Sequence, residues 1–280
     1  MCSGTFPKVS FNMDHHPSLI TPEQLKPVLG DPNIQVVQVV SQALFASTYI
    51  PSATRILPQE LVLGQPPAPG ELPHAEQLNR LFGRIGLTPE TTVVVADDEG
   101  GAWAGRVAWT LDMIGHSKWC YLNGGIQEWM NSGGETTNSP TDPEPVELDL
   151  EIREESRIKL EQLVTELDDP NLLIWDCRTR EEYLGTRPTA QRNGHIPGAV
   201  HLNWVDLVDY ENNLQIAANG EQQLSDLGIS PDKSLVVHCQ THHRSAFAYM
   251  YARLLGFPNV RAYAGSWAEW GNHPSTPIEI

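Results

Sequence analysis

A cysteine and an arginine lie five positions apart, between a short apolar run and an amphipathic stretch. Residues 235–237, Leu-Val-Val, predict a buried strand because the run is too brief for a helix. From Arg244 to Leu255 the apolar residues recur at helical spacing, so we predict a helix there. The segment that begins at Cys239 is therefore a tight loop between the end of a strand and the start of a helix.

This loop has the chemistry of an anion site. Backbone N–H groups in such a turn point inward, and the N-terminus of the helix adds partial positive charge. Cys239 should therefore have a lowered thiol pKa and react as a thiolate. Arg244 adds a permanent cation that can hold an oxyanion in a bidentate fork. We expect Cys239 and Arg244 to be the catalytic residues.

A strand, a Cys-x4-Arg loop and a helix resemble the active site of the rhodanese sulfurtransferases, and the wording Cys-Gln-Thr-His-His-Arg is similar to bacterial two-domain members. Related cysteine phosphatases have five residues between the cysteine and the arginine, whereas the four residues here suit a single extra sulfur atom. The resemblance implies that the loop binds the substrate and the persulfide through Gln240, Thr241, His242 and His243. We expect the two histidines to act there as weak, titratable cations.

The resemblance implies a thiosulfate sulfurtransferase that uses no cofactor. The Cys239 thiolate would take sulfane sulfur from a small anionic donor such as thiosulfate, form a persulfide, and pass the sulfur to a thiophilic acceptor such as cyanide. Mammalian members have a lysine in place of Thr241 and an arginine in place of Glu182, and two lost cations should weaken thiosulfate binding. The alternatives are a persulfide carrier for a protein acceptor, a 3-mercaptopyruvate sulfurtransferase and, against the short loop, a cysteine phosphatase.

The two halves of the chain repeat one pattern. Three blocks recur in the same order, pairing residues 31–40 with 169–178, 86–95 with 228–237, and 121–129 with 263–270. Each half alternates apolar strands with helical stretches, which predicts an α/β fold with a mostly parallel sheet and helices on both faces. The resemblance implies two tandem rhodanese-like domains.

We expect a flexible tail over residues 1–17, a first domain over 18–133, a linker over 134–145 and a second domain over 146–280. The linker is rich in Gly, Ser, Thr, Asn and Pro and has no apolar period. From Val146 to Ile152 apolar residues alternate with acidic ones, which predicts a strand at the start of the second domain.

Only the second domain has the reactive cysteine. Counting back 142 positions from Cys239 leads to Asp97, whose carboxylate cannot carry sulfur and would repel an anion. We therefore expect the first domain to be catalytically inactive, as is common in the family that the chain resembles.

Two further pairs of residues are candidates for support of the site. Asp176 and Arg178 match family residues that brace the catalytic region, with an ordinary ion pair at the end of a strand as the alternative. Trp103 and Trp204 fall near aromatic positions that line an apolar pocket beside the sulfur in mammalian rhodanese, with core packing as the alternative. Cys177 is expected to be a core residue rather than a second reacting thiol.

Composition restricts the partners. The 280-residue chain has a net charge of −17, which argues against nucleic acid and anionic membranes, and no apolar run approaches the length of a membrane span. Its four cysteines match neither a zinc ribbon nor a disulfide framework, which favours a reducing compartment, the cytoplasm. Cys239 and His242 are spaced like a short ligand pair, but no second pair follows, so we expect no metal. We expect a monomer.

Overall fold

A computed structural model describes residues 17–280, so the tail predicted over residues 1–17 lies almost wholly outside the described part. The first unit holds a parallel sheet of five strands in the order β1-β5-β4-β2-β3. Its strands are β1 Ser18–Ile20, β2 Ile34–Val39, β3 Thr54–Ile56, β4 Thr92–Ala96 and β5 Trp119–Leu122. Its α-helices are α1 Pro22–Leu25, α2 Ala75–Arg84, α3 Ala102–Met113 and α4 Gly125–Asn131.

The second unit repeats this plan around a parallel sheet of four strands in the order β11-β10-β6-β7. These strands are β6 Leu172–Asp176, β7 Val200–His201, β10 Ser234–His238 and β11 Val260–Ala262, and a separate antiparallel pair is formed by β8 Val208–Asp209 and β9 Gln215–Ile216. The α-helices are α5 Leu160–Glu166, α6 Arg180–Tyr183, α7 Gly220–Asp226, α8 Arg244–Leu254 and α9 Ser266–Trp270. The α/β fold with two repeated units and parallel sheets is confirmed.

One face of each sheet packs towards the other unit. Along β10, Leu235 and Val237 belong to an apolar core that runs through both units, whereas Val236 belongs to a core on the outer face of its own unit. Alternation of side chains along a strand then places Cys239, the next residue in the odd series, on the face between the units. The position of the reactive cysteine at the domain interface follows from this alternation.

Helices α3 and α8 cross at this interface without a side chain between their backbones. A Cβ atom on Gly105 of α3 would lie 2.3 Å from the carbonyl oxygen of Ala246 on α8, which no real structure allows. The glycine therefore permits the close approach of the two helices. The two units are joined over a shared core rather than held apart by the linker.

The strand predicted over residues 146–152 is wrong. Residues 140–154 contain no regular structure, and this segment lies along the helices of the first unit. Val146 donates its N–H to the carbonyl of Gly83, and Leu150 donates its N–H to Oδ1 of Asn79. The alternation of apolar and acidic residues reflects one side packed against those helices and the other exposed to water, with no neighbouring strand.

Among residues 17–280 no helix combines the length and the apolar character that crossing a bilayer requires.

Candidate active site

The loop 239–243 joins β10 to α8 at the carboxyl edge of the parallel sheet, as predicted. Cys239 is 1% exposed, yet its sulfur is surrounded by polar donors. Burial alone would raise the pKa of this thiol, but Arg244, the hydroxyl and N–H of Ser245 and the N–H of Thr241 outweigh burial and lower the pKa. The thiolate form of Cys239 is therefore favoured by the geometry of the loop and the first turn of α8.

The carbonyl groups of the loop point away from the sulfur. The Cys239 carbonyl accepts a hydrogen bond from the N–H of Trp267 at 2.9 Å, and the Gln240 carbonyl accepts one from the N–H of Ala268 at 3.0 Å. With the carbonyls directed outward, N–H groups of the same loop are free to face the sulfur, which is the arrangement of an anion nest.

Two serines hold this loop in place. The hydroxyl of Ser266 accepts hydrogen bonds from the N–H groups of Cys239 and His242, at 3.3 and 3.2 Å. The hydroxyl oxygen of Ser245 lies 2.8 Å from Nδ1 of the His242 ring. Ser266 and His242 both adopt a left-handed backbone, with φ of 52°. This backbone conformation is strained for residues other than glycine, and the surrounding contacts hold it in place, as is common at functional sites.

Arg244 forms an ion pair with Glu182 of α6. Nη1 and Nη2 lie 2.6 and 2.9 Å from the two carboxylate oxygens, and Glu182 is only 4% exposed on its side chain. Burial raises the pKa of Glu182, but the hydrogen bond and charge of Arg244 and the N–H of Thr179 bring it below its ordinary value. A cation expected to face only the substrate is thus shared with a fixed carboxylate.

The two loop histidines have different surroundings. His242 is fully buried against the edge of Trp109, and burial lowers its pKa well below the ordinary value, with Arg106 adding to the effect. The expectation that His242 acts as a titratable cation is therefore wrong, because its ring stays neutral in the interior. His243 lies nearer the surface, with Nε2 2.9 Å from the carboxylate of Glu99.

The two predicted tryptophans lie beside His243. The ring centroid of Trp103 is 4.4 Å from that of the imidazole, and the centroid of Trp204 is 6.5 Å from it. Trp204 also contacts the edge of Phe247 on α8. The structure thus brings both tryptophans, one from each unit, together with the catalytic loop.

Asp176 and Arg178 form a buried, bidentate ion pair under the loop. Arg178 donates to both carboxylate oxygens, with its Nη2 at 2.6 Å from Oδ2, and it also donates to the carbonyl of Gly194. His238, the residue before the nucleophile, lies 3.5 Å from the same carboxylate. Cys177 between them is fully buried, and burial raises its thiol pKa well above the ordinary value. The pair therefore connects the end of β6 to the carbonyl of Gly194, with His238 of β10 close to the shared carboxylate, and a role in support of the site stays a prediction.

The inactive unit has the same loop with a carboxylate in place of the sulfur. Asp97 follows β4 as Cys239 follows β10, and its carboxylate accepts hydrogen bonds from the N–H groups of its own loop. The donors are Gly101 at 2.9 Å, Trp103 at 2.9 Å, Ala104 at 3.0 Å and Glu99 at 3.3 Å. Burial raises the pKa of Asp97 to about 6, and the hydrogen bonds from these donors oppose that effect. The nest of the inactive unit is filled by its own side chain.

Sequence reasoning missed several residues that complete the site, above all Arg106, Ser245, Ser266 and Glu99. Arg106 is a buried arginine on α3, where the residues around it are almost all apolar. A single basic residue among so many apolar ones is the sequence feature that could have identified Arg106. The roles of Ser266 and Glu99 depend on contacts between distant parts of the chain, for which the sequence gives no local sign.

A model of the rhodanese-like domain matches residues 21–132 and 159–273, the two repeated units described above. The chain belongs to the rhodanese family. This rhodanese is 45% identical over 264 residues to a thiosulfate sulfurtransferase of Pseudomonas aeruginosa, a match that covers 94% of this chain and 97% of the relative. It is 44% identical, with the same coverage, to a thiosulfate sulfurtransferase of Azotobacter vinelandii.

Two more distant relatives extend the comparison. A sulfur carrier protein of Thermus thermophilus, TtuD, is 31% identical over 280 residues, covering 94% of this chain and 97% of the relative. The crystal structure of an anaerobic ergothioneine biosynthesis enzyme from Chlorobium limicola superposes with a TM-score of 0.79 at 23% identity, covering 94% of this chain and 70% of that one. At that identity the second likeness is evidence for the fold alone.

Proposed function

We propose that this rhodanese is a sulfurtransferase that takes sulfane sulfur from thiosulfate through a persulfide on Cys239. The observation that carries the proposal is the anion nest around the sulfur, formed by the N–H groups of Thr241 and Ser245 with Arg244 at its edge. The names of two bacterial relatives, both thiosulfate sulfurtransferases, support the same donor.

In the first half-reaction the Cys239 thiolate attacks the outer sulfur of thiosulfate. A bond forms between Sγ and that sulfur, the sulfur–sulfur bond of thiosulfate breaks, and its electron pair leaves on sulfite. The product is a persulfide whose terminal sulfur is anionic. The inward N–H groups of the loop stabilise that anion because they are already oriented before the reaction.

In the second half-reaction a thiophilic acceptor such as cyanide attacks the terminal sulfur. The bond between the two sulfurs breaks, its electron pair returns to Sγ of Cys239, and thiocyanate leaves. No proton transfer and no cofactor are required in either step. The nucleophile of the first step is the thiolate, which the surroundings of Cys239 favour by lowering the pKa of its thiol.

A second candidate function is a persulfide carrier that hands the sulfur to a protein acceptor. The ion pair between Arg244 and Glu182 favours it, because a fixed carboxylate next to the cation opposes a small dianionic donor. The sulfur carrier relative from Thermus thermophilus gives it further support. A protein acceptor, the monomeric state and a cytoplasmic location stay predictions.

The test is intact mass after incubation with thiosulfate and then with cyanide. We expect the wild type to gain one sulfur atom and to lose it again, and Cys239→Ala to do neither. Saturation by thiosulfate with rapid turnover supports the enzyme, whereas persulfide on the isolated protein with slow thiosulfate turnover supports the carrier. A wild-type protein that takes up no sulfur from either thiosulfate or 3-mercaptopyruvate contradicts both.

A further inference from the structure

The inactive unit places a buried cation against the catalytic loop. Arg106 on α3 is fully buried, and Nη1 of its guanidinium lies 3.4 Å from the carbonyl oxygen of His242. Nε and Nη2 donate to the carbonyl of Leu61 at 3.0 and 2.8 Å, and Nη2 also donates to the carbonyl of Glu71 at 3.1 Å. One side chain thus connects a loop of the first unit to the active-site loop of the second.

This cation has no carboxylate as a direct partner in the described part of the chain. None of the ion pairs among residues 17–280 includes Arg106, and the nearby carboxylate of Glu71 pairs with Arg157 at 3.0 Å. Burying a charge without a counter-ion is unfavourable, so stability alone does not account for such a group. Burial lowers the pKa of Arg106 to about 9, and the charges of Glu71 and Cys239 oppose that effect. Arg106 therefore stays a cation at neutral pH, close enough to the reactive sulfur to respond to its charge.

The contact falls on the one loop peptide whose orientation is strained. His242 has a left-handed backbone, with φ of 52°, and its carbonyl points towards Arg106 while its N–H points to Ser266. Trp109 completes the contact, with the Arg106 guanidinium 4.5 Å above its ring centroid and the His242 ring 4.6 Å from it. If the peptide that joins His242 to His243 turned over, Arg106 would lose this acceptor, and the negative end of the peptide dipole would no longer be held by the guanidinium.

We propose that Arg106 of the inactive unit is a positioning residue of the active site. It holds the His242 carbonyl outward, so that the loop N–H groups remain aimed at Sγ of Cys239, and its buried charge favours the anionic sulfur. The proposal rests on the sulfur-transfer function proposed above. It gives the inactive unit a part in catalysis, through a residue 133 positions before the nucleophile.

The test compares Arg106→Met, Arg106→Gln and Arg106→Lys with the wild type and with Thr110→Val. Thr110 is buried on the same helix and donates to the Arg106 carbonyl, so its variant loses a buried hydrogen bond without losing the guanidinium. Two rates are measured from pH 5 to pH 10, alkylation of Cys239 by iodoacetamide and sulfur loading from thiosulfate followed by intact mass. Near-ultraviolet circular dichroism checks the fold of each variant.

We expect the two neutral variants to alkylate about tenfold more slowly at pH 7, with the midpoint of the pH profile raised by about one unit, and to load sulfur more slowly. Arg106→Lys should keep the midpoint near that of the wild type, because the charge remains, but lose turnover, because the fork to the loop carbonyls is gone. Thr110→Val should keep both the midpoint and the turnover.

Slower loading in the neutral variants with an unchanged midpoint overturns the proposal, since a merely structural role would give that result. If the neutral variants do not fold, Arg106→Lys is the deciding variant. A turnover of Arg106→Lys equal to that of the wild type then overturns the proposal. Wild-type protein that loads no sulfur contradicts the proposed function, whereas wild type and neutral variants that load equally well contradict only the role of Arg106.

Discussion

Both terminal nitrogens of the Arg244 guanidinium donate hydrogen bonds to the carboxylate of Glu182, at 2.6 and 2.9 Å. The carboxylate is held in turn by the N–H of Thr179, at 3.0 Å, at the start of helix α6. A sulfonate group that enters the site must therefore share Arg244 with a carboxylate that cannot move far. The same carboxylate repels any dianionic donor.

Replacing Glu182 should improve the use of thiosulfate. We expect Glu182→Gln to lower the KM for thiosulfate by about three- to tenfold, because it removes a like charge and frees Arg244 to bind the sulfonate. Steady-state kinetics with cyanide as acceptor measure this effect. Glu181→Gln is the matched control, since Glu181 is exposed on the same helix and should leave the KM unchanged. A KM for Glu182→Gln that stays the same or rises contradicts this account of Arg244.

Cys177 should take no part in sulfur transfer. It lies beside the site, but burial raises its thiol pKa well above the ordinary value, so almost no thiolate forms there at neutral pH. We expect Cys177→Ser to gain and release one sulfur atom as the wild type does, measured by intact mass, and Cys239→Ser to gain none. Retention of the sulfur by Cys177→Ser after cyanide is added would point to Cys177 as a resolving thiol.

The sequence was sufficient to predict the parts of this protein that depend on local pattern. The apolar run 235–237 predicted strand β10, helical spacing from Arg244 predicted α8, and the repeat offset led from Cys239 to Asp97. All of these depend on residues that are neighbours along the chain or copies of one another. The alternating segment 146–152 misled because amphipathic alternation needs only one buried side, which the helices of the first unit supply.

The partners of the loop could not be predicted in the same way. Glu182 lies 62 residues before Arg244, and Arg106 lies 136 residues before His242. The sequence identified Glu182 as a departure from the mammalian pattern but did not indicate that it binds Arg244. Likewise, the apolar residues around Arg106 make its charge unusual but do not indicate that it lies against a loop of the other unit.

The buried His238 should make stability fall in weak acid. Burial lowers the pKa of His238 to about 4, although the charge of Asp176 acts in the opposite direction. Between pH 6.5 and about pH 4 the unfolded chain binds a proton at this residue and the folded protein does not, so stability is lost as the pH falls through that window. The shift corresponds to about 3 kcal/mol at most.

Urea unfolding at several pH values tests the contribution of His238. We expect His238→Gln to be less sensitive to pH between 6.5 and 4 than the wild type, whatever its stability at neutral pH. His74→Gln is the control, because His74 is exposed at the start of α2 and should retain the wild-type dependence. Parallel curves for His238→Gln and the wild type would show that the proton binds elsewhere.

Gly70 of the first unit should be needed for the reactivity of the second. A Cβ atom at this glycine would lie 2.1 Å from the carbonyl oxygen of Thr241, so Gly70→Ala must displace the catalytic loop or its own loop. We expect Gly70→Ala to load sulfur from thiosulfate about tenfold more slowly, since a shifted loop no longer aims its N–H groups at the sulfur.

The matched control is Gly83→Ala on helix α2. Its Cβ atom would lie 2.5 Å from the carbonyl oxygen of Val146, an equally impossible contact that is made with the connecting segment instead of the loop. Both variants should unfold at lower urea concentration than the wild type, but only Gly70→Ala should load sulfur slowly in single-turnover measurements below its unfolding transition. Equal loading rates in the two variants would mean that the loop adjusts without loss of its geometry, and that the first unit supports the site by burial alone.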